Sequence, residues 1–216
     1  GKTLNTSPSL ENNMVDPFMV DHDLLVTWFH INLIQIERIL PQITVHCVTA
    51  SSAFAKENKG GFDPLQEHVA DEKDPDKTVK FMPDAVFVIT KRDSDPKKSL
   101  LFFLEVDMGT ESLVSSNGSS KDIRNKILNY KLLFRSGNYK RHENIFNVKL
   151  NGFRLLFLVN LPTRLAALCR LVQEMRPSNF IWLTDRERMF SSGVSATIWA
   201  RGGENGNFLK SILGPT

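Results

Sequence analysis

The stretch that most restricts the fold is LLFFLEVD, residues 100–107, where five large apolar residues run straight into Glu105 and Asp107. A run that is apolar at both odd and even positions does not suit a half-exposed strand. It reads as a central strand covered on both faces. A second apolar run occupies residues 84–90, and the intervening KRDSDPKKS is charged and contains proline, as the connection of an antiparallel hairpin would be. If Ile89 or Thr90 faces Leu101, the pairing carried back sets Asp84 opposite Asp107, with Glu105 on the neighbouring diagonal. Side chains two apart on a strand share a face, so Glu105 and Asp107 emerge together and three carboxylates are expected to converge. That much like charge beside apolar strands is costly unless a cation offsets it, and a hard divalent ion, Mg²⁺ or Mn²⁺, is the simplest candidate. Such an ion activates water and neutralises charge on a phosphate. The plainer reading of acids at strand ends is that they face solvent or pair with Lys or Arg.

The rest of the chain supplies layers for this hairpin. Residues 1–20 are rich in Ser, Asn, Thr and Pro and read as an N-terminal arm or linker remnant, leaving 21–216 as one domain. Gly1 in place of a methionine suggests a processed or trimmed chain. From Asp21 to the residues before Pro41 the pattern is helical, with Leu24, Trp28 and Ile31 beside Leu25, Phe29 and Ile36 in a broad apolar face, and the helix is expected to be largely buried. ITVHCVTASSAF, residues 43–54, reads as a strand, and the charged, Gly-containing residues 56–78 as a long exposed excursion. After SSNGSS comes a helix over about 120–135, with Ile123, Ile127, Tyr130 and Phe134 along one side. FRLLFLVN is a further buried strand, residues 162–175 an amphipathic helix opening on Pro162, and NFIWLTD and ATIWAR are short strands. An antiparallel hairpin followed by a helical crossover to another strand gives an α/β architecture with a mixed sheet.

Composition bounds the function. With 216 residues, 41% hydrophobic and 24% charged, the chain suits one compact domain, and its net charge of +3 means that any basic surface must come from local clustering. No apolar run reaches the roughly 20 residues that cross a bilayer, and the N-terminus lacks a signal-peptide core, so a soluble cytoplasmic protein with no membrane partner is expected. Cys47 and Cys169 lie in separate apolar segments and read as buried thiols. The five histidines lack metal-binding spacing and no Gly-rich loop precedes a helix, which argues against zinc hydrolases and nucleotide triphosphatases. Lys121, Arg124, Lys131 and Arg135 cluster around the second helix, with Lys140, Arg141 and His142 just beyond; they form either a phosphate-tracking surface or a solvated helix face.

PDAVF followed by FFLEVD resembles the signature of the PD-(D/E)XK nuclease superfamily, and the order helix, three strands, helix, strand is similar to its αβββαβ core with a mixed central sheet flanked by helices. EVDMGTES followed by KILNY resembles, more specifically, the bacterial replication-relaxation family found on plasmids and other mobile elements; the resemblance covers roughly residues 21–200. It implies that Asp84 and Glu105 are metal-binding acids. Asp107 stands where a typical member has its lysine, the group that orients water or stabilises the charged phosphate. Three outcomes stay open. Lys126, spaced i, i+4 from Tyr130, supplies a migrated ammonium; or Asp107 is a third metal ligand; or the chemistry is lost and a DNA-binding or assembly module remains. Lys126 otherwise reads as a solvated helix residue and Tyr130 as a core residue with its hydroxyl at the edge. Glu111 lies close enough to reach the site or serves a turn, and Gly109 serves backbone conformation. His22 resembles a family histidine, although its spacing suits a cap, and Glu37 is the first-helix acid nearest the site, although a surface position suits it as well.

The resemblance thus implies a metal-dependent endodeoxyribonuclease acting on DNA, with replication or mobilisation proteins as partners and room for a homodimer. The family pattern usually carries a winged-helix segment ahead of the nuclease-like part, which residues 1–20 are too short to supply. Either that segment has been removed or the architecture differs; if it has been removed, binding to DNA should be weak and steeply salt-dependent.

Overall fold

The computed structural model describes residues 17–49, 63–71, 74, 76–94, 97–115, 122–206 and 208–214. Its centre is a mixed six-stranded sheet in the order β1-β4-β5-β6-β7-β8, built from β1 (Ile43–Thr49), β4 (Ala85–Lys91), β5 (Lys98–Asp107), β6 (Phe153–Val159), β7 (Ile181–Asp185) and β8 (Ala200–Arg201). The β1-β4-β5 part is antiparallel and β5-β6-β7 is parallel, as a hairpin followed by helical crossovers requires. Among the described residues five α-helices accompany it: α1 (Pro17–Ile39), α2 (Ile123–Ser136), α3 (His142–Phe146), α4 (Pro162–Glu174) and α5 (Arg186–Ser192). None is long and apolar enough to cross a membrane.

The sheet separates two cores. Phe87, Phe102, Leu104, Leu156 and Leu158 pack under α1 and α5, while Val86, Phe103, Leu155, Phe157 and Leu183 pack under α2 and α4. Both faces of β5 are therefore covered, which is why LLFFLEV tolerates no regular polar position before Glu105. Helix α1 starts at Pro17, four residues inside the expected arm, because proline suits the first helical turn. Its burial also differs from expectation. Leu25, Phe29, Leu33 and Ile36 are buried, whereas Leu24, Trp28 and Ile31 are exposed, because a helix lying on one sheet can bury only one side.

The hairpin register differs from the expected one. Thr90 faces Ser99 and Ala85 faces Leu104, so the position of Asp84, one residue before β4, falls opposite Glu105 rather than Asp107. The Thr90 and Ser99 hydroxyls, 2.8 Å apart, pin this pairing. The slip from a Thr90–Leu101 pairing is two residues, an even number, so every side chain keeps its face. Residues 63–81 also depart from the exposed excursion: β2 (Glu67–Ala70) and β3 (Thr78–Phe81) form a separate antiparallel pair, and Leu65 and Val69 enter the core beside α2. Residues 50–62 lie outside the described part. Helix α5 was not expected either; Asp185 ends β7 and caps the helix by accepting from the Arg188 backbone N–H at 2.9 Å.

Candidate functional site

Asp84, just before β4, and Glu105 and Asp107, at the end of β5, lie on the α2 face of the sheet. Helix α2 is fixed above them at both ends. Asp122 caps its start, accepting from Asn125 N–H at 2.8 Å, and Gly137 ends it in the left-handed region at φ 74°. Ile123, Ile127, Tyr130 and Leu133 seat the helix on the core, and that rotation aims Lys126 and Tyr130 at the end of β5. Phe134, expected on the same side, is half exposed and stacks instead on Tyr139.

Glu105 is buried, and two donors hold it: Lys126 Nζ at 2.9 Å from Oε2 and the Tyr130 hydroxyl at 2.6 Å from Oε1. Burial still pushes its carboxyl up to about 7; Lys126 pulls the value down, the charge of Asp84 raises it, and the Tyr130 hydrogen bond lowers it. For Lys126, burial works against the charge, but Glu105 and Glu111 outweigh it and keep the ammonium protonated. Burial first, then Glu105, hold the Tyr130 hydroxyl well above its ordinary range, so it stays a neutral donor. Lys126 also approaches Glu111, with Nζ 3.3 Å from Oε2. That oxygen is shielded from water and has no hydrogen-bond partner among the described residues.

Asp84 is held from two sides. Its Oδ2 accepts the Val106 backbone N–H at 2.7 Å, and its Oδ1 lies 3.2 Å from His22 Nε2. The hydrogen bond to Asp84 is the main cause that lifts the His22 imidazole to about 9, against the lowering effect of its own burial. His22 therefore joins the site across the α1–β4 contact, whereas its spacing alone suited a cap. Asp107, expected to converge with the other acids, lines one cavity with Asp84 and is held there by α4: Arg164 Nε is 2.6 Å from Oδ2 and Nη2 3.2 Å from Oδ1, and the Gly109 backbone donates to Oδ1 at 2.8 Å. Gly109 itself has φ 82°, a conformation that favours glycine. Arg164 also donates to the Glu111 carbonyl at 2.6 Å, so it ties the loop after β5 to α4. No sequence signal pointed to Arg164, which sits in the first turns of an amphipathic helix.

The remaining candidates are dispersed. Glu37 lies at the surface in an ion pair with Arg92 at 2.9 Å. Lys131, expected on a basic face, is buried, its ammonium bonded to the carbonyls of Met175 and Arg176 at the end of α4. Arg124 pairs with Glu174 at 3.4 Å, Arg135 is exposed, and Lys121 lies outside the described residues. Arg141 and His142, also expected in that cluster, instead grip the buried Glu67 of β2, at 2.9 and 2.7 Å.

A cavity of about 140 Å³ opens between His22, Asp84, Asp107, Glu111 and Lys126. Among the described residues no three His, Cys, Asp or Glu side chains gather on one point as a metal site. Carboxylate oxygens of the kind a hard cation takes do lie near one another: Asp84 and Glu105 face each other across one strand pair, and Glu111 Oε2 has, among the described residues, only the Lys126 ammonium, at 3.3 Å, beside it.

Residues 9–148 match the family described as replication-relaxation. That span holds α1 through α3 and all three acids, and stops short of β6. No curated protein and no solved structure matches the chain.

Proposed function

The chain belongs to the replication-relaxation family, and from that premise we propose that it processes DNA in the replication or relaxation of a plasmid or other mobile element, through a PD-(D/E)XK-like centre that hydrolyses a phosphodiester bond. The observation that carries this reading is Lys126 Nζ at 2.9 Å from Glu105, beside Asp84 and Glu111. The ammonium absent from the strand, where Asp107 stands, is delivered from α2. Asp84 and Glu105 would hold Mg²⁺ or Mn²⁺, with Glu111 within reach. The ion supplies Lewis-acid stabilisation of phosphate charge and an acidified water.

The chain's own groups then have separable roles. Above pH about 7 the Glu105 carboxyl is ionised and able to offer its charge to the ion. Tyr130 fixes its orientation. Lys126 and the cationic His22 offset negative charge on the phosphate oxygens. Asp107, neutralised by Arg164, positions the loop that carries Glu111 and is not assigned to the metal. The same ion pair favours the second reading, a nuclease-derived module that binds DNA or assembles with replication proteins without cutting. The positions that would form its active centre are then retained as a structural salt-bridge network.

Calorimetric titration of Mg²⁺ and Mn²⁺ into the wild type and into Asp84→Asn with Glu105→Gln, paired with nicking of supercoiled plasmid, separates the two. Metal binding and nicking that both vanish in the double variant support hydrolysis. A folded wild type that neither binds metal nor nicks sinks the hydrolytic reading and leaves the binding module.

A further inference from the structure

At the opposite end of β4 and β5, and on the α1 face of the sheet, lies a cavity of about 650 Å³. Five cationic side chains line it, Lys91, Lys98, Arg154, Arg201 and Lys210, and no carboxylate among the described residues does. Its floor is apolar, from Ile89, Leu100 and Trp182. One wall is the C-terminal segment. Lys210 is fixed there by paired backbone bonds with Trp199, at 2.8 and 3.0 Å, and the Ser211 hydroxyl donates to the Ser195 carbonyl at 2.6 Å.

The charges are arranged at a cost. Lys91 and Lys98 are direct cross-strand partners, and like charges in that position repel. Arg154 lies over the Trp182 ring at 5.6 Å, its Nε is buried without a hydrogen-bond partner, and burial followed by the charge of Arg201 lowers its affinity for a proton. None of the five is in an ion pair among the described residues. Packing cations together over an apolar floor is favourable when an anion of more than one charge bridges them. Two guanidinium groups offer fork geometry for phosphate oxygens. The volume falls within the range of roughly 300–1,000 Å³ typical of small-molecule sites, and the apolar floor suits a flat, weakly polar body joined to the charge.

We propose that this cavity is a nucleotide-binding site, in which the five cations hold the phosphates and the Ile89–Leu100–Trp182 floor takes the base and sugar. The nucleotide is either free or part of a DNA strand. The site lies on the other face of the sheet from Glu105 and does not rest on the hydrolytic reading.

The test uses the whole chain with three probes: dATP, a 5′-phosphorylated single-stranded oligonucleotide, and vesicles containing phosphatidylserine. The variants Lys98→Glu and Lys210→Glu change exposed residues of the cavity, and Lys80→Glu, exposed on β3, makes the same charge change elsewhere. Each cavity variant should weaken nucleotide binding at least about tenfold, as expected for a lost charge-assisted contact, while the β3 variant changes it less than about twofold. Displacement of the oligonucleotide by dATP identifies the nucleotide unit as the ligand; oligonucleotide binding without dATP binding identifies the strand. Either supports the site. Absence of binding to both, equal weakening by all three variants, or vesicle binding as the only property the cavity variants lose overturns it.

Discussion

Replacing Lys126 by methionine in metal-free buffer should destabilise the protein by an amount that depends strongly on pH. The folded value for Glu105, about 7, lies above the ordinary 4.5. The native state therefore keeps this proton longer than the unfolded chain does. The stability linked to Glu105 is fully present below about 4.5 and is lost as pH rises through about 7. At about 1.4 kcal/mol per pH unit, that interval amounts to about 3 kcal/mol between the two plateaus. Above pH 8 Glu105 is ionised in the wild type; Lys126→Met removes the cation that holds its value down, so the variant must either keep the charge with Tyr130 as its remaining donor or bind a proton that the wild type has released. Loss of one member of a buried pair costs roughly 3–5 kcal/mol, and the lower end applies because Lys126 is 27% exposed. Below pH 5 the carboxyl is neutral in both proteins, and the variant forfeits only the attraction to Glu111 and Asp84, about 1 kcal/mol. Urea unfolding of both proteins at pH 5 and pH 8.5 measures the difference. A loss that is the same at both pH values refutes the reasoning, and adding Glu105→Gln should abolish the excess at pH 8.5.

Three further outcomes follow from other contacts. The His22 imidazole should titrate near 9 by proton NMR, and its contribution to stability, present below about 6.5, should disappear as pH rises through about 9; Asp84→Asn should return the titration to the ordinary histidine range. Arg164→Met leaves the buried Asp107 carboxylate without its cation and should cost about 3 kcal/mol in chemical denaturation, with Arg164→Lys recovering little because a lysine cannot make the forked contact. Gly203→Ala should lower the melting temperature, at a cost of about 2–4 kcal/mol, because φ is +84° and the new Cβ would fall 2.3 Å from the Cys169 carbonyl oxygen on α4.

What the sequence revealed and what it hid follow from how local each constraint is. The central position of β5 was legible because only a strand covered on both faces accepts LLFFLEV, and the shared face of Glu105 and Asp107 follows from strand geometry alone. The register was not legible, since it rests on a hydroxyl pair, Thr90 and Ser99, whose residue types are ordinary. Lys126 and Tyr130 could be paired from their i, i+4 spacing. That their shared target is Glu105 depended on how α2 lies across the sheet. Lys131 looked solvent-facing because lysine usually is; the carbonyls at the end of α4 that bury it are far away in sequence. The same distance hid the Asp107–Arg164 pair and the grip of Arg141 and His142 on Glu67, which turned an apparently exposed acidic stretch into part of the core.

The position of β5 between β4 and β6 also bears on how the chain can be divided. The family match stops at residue 148, yet β5 takes its second neighbour from residues 153–159. A fragment cut at the family boundary would keep the carboxylates and lose the strand that seals them. It would display a ten-residue β5, apolar throughout Leu100–Leu104, with one row of backbone amides and carbonyls unpaired, a template for sticking to other copies. The recognisable part of the molecule is thus smaller than the part that completes the sheet, and any fragment meant to keep the carboxylates in place has to extend through β6 and the α4 helix that supplies Arg164.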